Sequence, residues 1–483
     1  MSESAIPREL IDADAQKVIR HLVRNGYQAY LVGGCVRDLL LGRTPKDFDV
    51  ATSATPAEIR DLFRNCRIIG RRFRLAHVVF GRKIIETATF RANPRPDGLE
   101  PSQGEDDSAG ELYIHRDNVF GNAEEDARRR DFTINGLFYD LESGRVIDYV
   151  GGMDDLVQRH LRTIGDPNIR FREDPVRILR AVKFAARLSF DVEDFTYRAM
   201  ISHHSEVQKS AAPRVLEEIY RLLRSGAAVE SMVLMSEIGL LGLLLPEVSG
   251  WLRDRPAVLD SYLGLLDARV QAGEMPSNAA LLIVLAAPAL APLFDDATAP
   301  RDLLGFIEST FDPMAARLRV ARRDVERVRQ TLVAQRRIAQ TRKRGARLPA
   351  GLIGRDYAGE AMGLHALFYC AERQAAGESL ESALAEVRAW PLPQPLRLGE
   401  SSEELGGEGG RREGPAGEEG ERRRRRRRGS DDGESRGSSQ SSRPGSEGAE
   451  HGQHDAGGDL PHEVDEDAVI AAYTAALNRH DEE

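Results

Sequence analysis

The stretch Leu31–Thr52, LVGGCVRDLLLGRTPKDFDVAT, limits the possible folds more than any other part of the chain. An apolar run ends in Gly33-Gly34 and leads directly into the amphipathic VRDLLL; a second β-type run, DFDVAT, follows a Pro-containing turn. This spacing predicts a strand–helix–strand unit. Glycines at a strand-to-helix junction let backbone amides approach a phosphate, and Arg37, one turn into the helix, adds a charged fork. Side chains alternate faces along a strand, so Asp47 and Asp49 are expected on one face and Phe48 on the other. Two carboxylates side by side repel unless cations sit between them. Mg²⁺ prefers oxygen ligands and is usually held by one or two carboxylates plus substrate phosphates. Paired ions of this kind stabilise both attacking and leaving oxygens in phosphoryl transfer. Glu86, in the otherwise apolar strand KIIETATF, is the candidate third carboxylate, because an acid there is costly without a partner. A DxD alone is mostly solvated surface, and Gly-Gly alone mostly a tight turn. Their occurrence in one unit carries the reading.

The 483 residues exceed one ordinary core. Residues 1 to about 150 mix strand and helix signals. QAYLV, DFDVAT, LAHVVFG and KIIETATF read as strands. TPAEIRDLF has a complete helix start, with Thr55 as N-cap, Pro56 in the first turn and Glu58 closing a capping box. Residues 93–118 are rich in Pro, Gly and acids and read as a mobile loop inside this domain. From about residue 170 strand signals fade. EDPVRILRAVKFAARL is expected to open with Asp174 as cap and Pro175 at the first helical position, and apolar-periodic segments continue to about residue 390. Residues 398 to about 461 are Gly, Ser, Glu and Arg with few aromatics and are expected to be disordered, with a short helix at EDAVIAAYTAALNRH.

The net charge of −10 is unevenly spread. Residues 401–483 carry 21 acids against 12 arginines, so the first 400 residues are nearly neutral and local patches matter more than the total. Three distant cysteines, Cys35, Cys66 and Cys370, argue against a disulfide framework and a four-ligand zinc site. No apolar run has the length of a membrane span, and the N-terminus lacks the pattern of a signal peptide. A cytoplasmic setting is the expectation.

Taken together, these motifs resemble the nucleotidyltransferase superfamily that includes DNA polymerase beta, and more narrowly its class II branch of bacterial poly(A) polymerases and CCA-adding tRNA nucleotidyltransferases. The resemblance spans about residues 27–240 through LVGGCVRDLLLGRTPKDFDVAT, RRDFTIN (129–135) and EDPVRILRAVKFAAR (173–187). It implies an α+β fold. A catalytic head with a mixed sheet (1–165) would be followed by a helical neck with a base-reading motif (166–240), a helical RNA-binding body (241–397) and a disordered tail (398–483). It implies Asp47 and Asp49 as metal ligands, most simply for two Mg²⁺, and Asp131 as a further catalytic acid. Whether Glu86 or Asp131 is the functional third carboxylate stays open. Nucleotide contacts would come from Gly33, Gly34, Arg37, Asp38, Arg129, Arg130, Asn135, Asp174, Arg177 and Arg180. Asp174, Arg177 and Arg180 are spaced by three, so one helix face would carry both a carboxylate and guanidinium groups. Lys183 stands where many relatives have Arg. Read without the other motifs, this helix is an amphipathic one with a solvated basic face.

NCRIIGRRFRLAHVVFG (65–81) is similar to the poly(A) polymerase pattern and lacks the short His-Gly-Thr segment usual in the CCA-adding branch. Arg71, Arg72 and Arg74 there, with Lys183, are candidates for triphosphate or RNA contact. Seven arginines at 422–428 suit sequence-independent phosphate contact. The reading is adenylyl transfer from ATP to RNA 3′ ends, with RNA-decay proteins as possible tail partners and no membrane. The alternatives are a CCA-adding enzyme and, from another class, a non-catalytic RNA-binding scaffold.

Overall fold

The computed structural model describes residues 6–70, 74–92 and 119–390. The loop expected at 93–118, Arg71, Arg72, the arginine-rich tail and the terminal helix lie outside the described residues.

Seven strands build the head: β1 (Ala29–Val32), β2 (Asp49–Thr52), β3 (Cys66–Ile69), β4 (Leu75–Phe80), β5 (Lys83–Thr89), β6 (Leu137–Asp140) and β7 (Arg145–Asp148). They form one sheet in the order β3-β4-β5-β2-β1-β6-β7, in which only β2 and β5 run parallel. The parallel pair exists because α3 (Pro56–Leu62) and the β3–β4 hairpin intervene between its strands. The helix α3 starts as its sequence predicts: Thr55 and Glu58 exchange the two bonds of a capping box behind Pro56.

Alternation sorts the strand residues into two layers. Leu31, Val50, Val78 and Ile85 face α1 (Ala13–Arg24), where Val18, Ile19 and Leu22 complete the core. Val32, Ala51, Phe90 and Phe138 face the other way and are covered by Ala123 and Ala127 of α4 (Ala123–Arg129). The helix α2 (Gly34–Leu40) leaves β1 directly at the glycine pair.

The strand β2 begins at Asp49, so Asp47 lies on the approach to it, exposed, rather than within the pleat. Strand alternation therefore does not set its direction. The register does fix a different neighbour. With Val50 opposite Thr87, the next positions back put Asp49, the first residue of β2, beside Glu86 in the middle of β5.

RRDFTIN straddles the end of α4 and a 3₁₀ turn at Thr133–Asn135 that feeds β6. Behind this turn comes α5 (Gly152–Gln158), approached so closely that a Cβ on Gly152 would sit 2.2 Å from the Thr133 carbonyl oxygen. Asp155 accepts a hydrogen bond from the Thr133 hydroxyl at 2.6 Å.

Helices dominate from there: α6 (Pro167–Glu173), α7 (Val176–Leu188), α8 (Asp194–His203), α9 (Ala212–Leu223), α10 (Ala228–Glu237) and others to Arg388. A two-residue ladder, His160–Leu161 with Asp191–Val192, is a small departure from the all-helical expectation. Asp174 does not cap α7. Pro175 takes the N-cap position, without a side-chain bond, and the Asp174 carboxylate turns to Arg214 instead. Among the described residues no helix is long and apolar enough to cross a membrane.

Gly152→Ala is expected to destabilise the protein by about 1–3 kcal/mol, since the Thr133 backbone must shift. Thermal melting of the variant checks this; an unchanged midpoint would show that the contact is not tight.

Candidate active site

A cleft of about 970 Å³ opens between the head and α7 and α9. The head lines it with Gly33, Gly34, Arg37, Asp47, Asp49, Arg130, Asp131 and Asn135; the neck adds Asp174, Arg177 and Arg180. Eleven residues marked in the sequence therefore meet in one place.

At the floor, Gly33 has φ 75° and ψ −130°, a conformation other residues rarely adopt, and any Cβ would meet the Arg130 guanidinium at 2.8 Å. Arg37 is buried. Its Nε and Nη2 donate to Asp38 at 2.8 and 2.6 Å, its Nη1 donates to the Asn135 amide oxygen at 2.5 Å, and its plane lies 5.1 Å from the Phe184 ring centre. The other Asp38 oxygen accepts from Arg187 at 3.3 Å. Asp38 thus holds Arg37 in place and does not line the cleft.

Asp131 is fully engaged. It accepts from the Phe132 amide at 2.8 Å, from the Asn135 side chain at 3.1 Å and from Arg180 at 2.8 and 2.6 Å. Burial opposes its ionisation, but Arg180 and the hydrogen bonds outweigh burial and hold the carboxyl at about 2. Arg180 also approaches Glu218 at 3.8 Å. Lys183 bonds the same Glu218 at 3.0 Å and is largely covered, inside the neck rather than on the cleft wall.

The base-reading candidates have protein partners too. Asp174 accepts from Arg214 at 2.8 Å, while its Oδ1 is buried without a hydrogen bond. Arg177 donates to the Arg170 carbonyl at 3.0 Å and to Glu173 at 3.2 Å. Arg170 in turn donates to the backbone carbonyls of Arg129 and Arg130 at 2.6 and 2.7 Å, which ties α6 to the RRDFTIN segment. The Arg129 side chain belongs to a second cavity, and exposed Arg74 lines neither.

That second cavity, about 320 Å³, shares Asp49 and Arg130 with the main cleft and adds Glu86, Arg91, Asp126 and Arg129. Asp49 therefore stands where the two meet. Burial pushes its carboxyl up to about 6, Glu86 and Asp47 push the same way, and Arg130 offsets only part. Among the described residues no group of three His, Cys, Asp or Glu side chains is arranged to hold a metal ion. Asp47 and Asp49 do face the cleft, Asp49 with less positive charge than it needs, and this donor set fits a hard divalent cation that completes its shell with phosphate oxygens and water.

Sequence reasoning missed Arg170, Arg214 and Glu218. Only Glu218 left a signal: it lies three residues after Val215 and four before Leu222, so an acid sits on the apolar stripe of α9.

Because the Asp49 carboxyl is raised in the fold, its ionisation costs stability above pH about 4 and the full cost is present above about 6. Asp49→Asn is expected to stabilise the metal-free protein at pH 7.5 by on the order of 1 kcal/mol, with the gain gone by pH 4. Melting curves across that range test it; a destabilised variant at pH 7.5 would contradict the reading of Asp49 as an uncompensated charge.

Comparison with known proteins agrees with this geometry. Residues 29–162 match the poly(A) polymerase head domain, and residues 189–252 match the probable RNA and SrmB-binding site of polymerase A. Poly(A) polymerase I of Salmonella typhimurium is 44% identical over 285 residues, 58% of this chain and 61% of that protein. The CCA-adding enzyme of Geobacillus thermodenitrificans is 36% identical over 258 residues, 52% of this chain and 60% of that one. The chain thus spans about three fifths of the length of the curated relatives it matches. The crystal structure of the Bacillus stearothermophilus CCA-adding enzyme with CTP superposes with a TM-score of 0.54 at 25% identity, over 78% of this chain and 82% of that one.

Proposed function

We propose, from the premise that the chain belongs to the family of poly(A) polymerases and CCA-adding enzymes, that it transfers AMP from ATP to RNA 3′ ends without a template. The observation that carries this is a single cleft in which the uncompensated carboxylate Asp49, beside Asp47, meets Arg37 and the α7 residues Arg177 and Arg180. The higher identity to poly(A) polymerase I, 44% against 36% for the CCA-adding enzyme, favours adenylate addition over CCA addition.

In the reaction proposed, the RNA 3′-oxygen attacks the α-phosphorus of ATP. A P–O bond to RNA forms, the bond to the β-phosphate bridging oxygen breaks, and pyrophosphate departs with its electron pair. Asp47 and Asp49 would hold the divalent cation, most simply Mg²⁺, which when bound lowers the hydroxyl's pKa and neutralises charge on the phosphates. Arg37 and Arg130 orient the triphosphate beside Gly33 and Gly34. Asp174 and Arg177 face the base. Asp131 spends its bonds on Arg180, Asn135 and Phe132, so its role is to aim Arg180. Glu86 is half exposed in the smaller cavity beside Asp49 and is the better-placed third carboxylate, where it can take the hydroxyl proton.

The test is extension of an unstructured RNA and of tRNA lacking its 3′ CCA, with each nucleotide singly and Mg²⁺. Long adenylate ladders on both RNAs are expected. Addition of C, C and A confined to tRNA would assign CCA synthesis, and no addition of any nucleotide would bring the scaffold reading forward. Asp47→Ala and Asp49→Ala should each lose at least about a thousandfold in rate with the fold retained. Arg177→Ala should weaken ATP binding or relax the preference for ATP over CTP; unchanged affinity and preference would remove Arg177 from base recognition.

A further inference from the structure

The strand register sets up a row on the same face of the sheet as Val32 and Ala51. Asp49 on β2 lies beside Glu86 on β5. Glu86 is directly opposite His77 on β4, and His77 is directly opposite Arg67 on β3. Neighbours across a ladder share a face and stand about 5 Å apart, so the four side chains form one line from the cleft to the sheet edge. The imidazole Nε2 of His77 lies 3.6 Å from a Glu86 carboxylate oxygen. That is beyond a hydrogen bond and within reach of one after a small rotation or through one water.

The two side chains differ in freedom. The His77 side chain is 12% exposed and the Glu86 side chain 52%. A covered ring on a central strand has few rotamers open to it; a half-exposed glutamate has many. Asp49 repels Glu86, and the two share the smaller cavity. Among the described residues, His77 is the one basic side chain within 4 Å of the Glu86 carboxylate, while Arg67 stands beyond it, exposed, on the far side of the ring.

We propose that His77 is a positioning residue for the transfer reaction: fixed by its strand on the side of Glu86 away from Asp49, it engages one Glu86 carboxylate oxygen and so leaves the other directed at the reacting hydroxyl beside Asp49. The inference rests on the function proposed above and adds a residue to it. His77 touches neither nucleotide nor cation. It limits the orientations of Glu86, as outer-shell partners limit the groups they support.

The experiment measures AMP addition to an unstructured RNA by the full chain at saturating Mg²⁺, with kcat and KM for ATP determined separately. His77→Ala is expected to lower kcat about tenfold with KM for ATP within about twofold, the size usual for loss of such a partner. His77→Gln, which keeps an N–H donor, should recover most of the rate. The pair H77A/E86Q should be no slower than Glu86→Gln alone, because His77 acts only through Glu86. Melting midpoints identify a variant that has lost its fold, and His77→Gln then carries the test. Unchanged kcat in His77→Ala, multiplied losses in the double variant, or full activity of Glu86→Gln would each overturn the proposal. Failure of the function reading looks different: the unmodified protein would add no nucleotide at all, and His77 would have no reaction to serve.

Discussion

The ion pair between Asp131 and Arg180 fixes how the cleft is assembled. Asp131 belongs to the segment that feeds β6; Arg180 is one turn into the neck helix α7. Their bonds at 2.6 and 2.8 Å join sheet and helix on the wall of the cleft. A buried pair of this kind adds little net stability on average, but removing one partner leaves a stranded charge and costs several kcal/mol. Its use is geometric. Glu218 approaches Arg180 from α9 and also receives Lys183 and Arg221, so three elements are held at one angle by directional bonds as well as by apolar packing.

Two aspartates in the same cleft meet opposite conditions. Both are covered, and burial alone would push both carboxyls up. Asp131 is supplied with a guanidinium, an amide N–H and an asparagine N–H, and ends at about 2. Asp49 is given two further carboxylates and one partly compensating arginine, and ends at about 6. Divergent environments of this sort separate roles. The protein completes Asp131 from within, through Arg180, Asn135 and the Phe132 amide. It leaves Asp49 short of positive charge, which is the condition a cation-binding group requires before its cation arrives.

What could be read from the sequence was what is local. The glycine pair, the capping box at Thr55 and four of the strands depend on neighbours within a few residues, and each is found where the pattern places it. The convergence of Asp49, Arg37, Asp131 and Arg177 followed from motif resemblance, since their separations in sequence carry no geometric information. Partners fixed by tertiary structure were illegible. Asp174 reads as a helix cap, yet Arg214, forty residues on, takes its carboxylate. Asp38 reads as a ligand contact, yet Arg187, 149 residues away, and the adjacent Arg37 use both its oxygens. Lys183 reads as a triphosphate or RNA contact, yet it pairs with Glu218. In each case the side chain follows the nearest buried opposite charge, and which charge is nearest is decided by packing.

On the reading proposed, the same bonds bear on how the cleft would tell adenine from cytosine. The Watson–Crick edge of adenine offers an amino donor beside a ring-nitrogen acceptor; cytosine offers the same pair and adds a second acceptor, its O2, where adenine has only C2–H. Asp174, on that reading, would accept from the amino group of either base and Arg177 would donate to the ring nitrogen of either, while only cytosine offers O2 to a second guanidinium N–H. The donor–acceptor pair that the two bases share therefore gives no preference for adenine, unlike the large penalties that follow when a buried polar group is left unpaired. Preference for the purine has to come from the space the base must fill and from how firmly its readers are held. Here Asp174 is held by Arg214 and Arg177 by Glu173 and the Arg170 carbonyl. A reader tethered at both groups cannot swing to follow a smaller base without breaking an ion pair. On the reading proposed, selectivity for ATP resides less in the two groups that face the base than in Arg214 and Glu173, which stop them from moving.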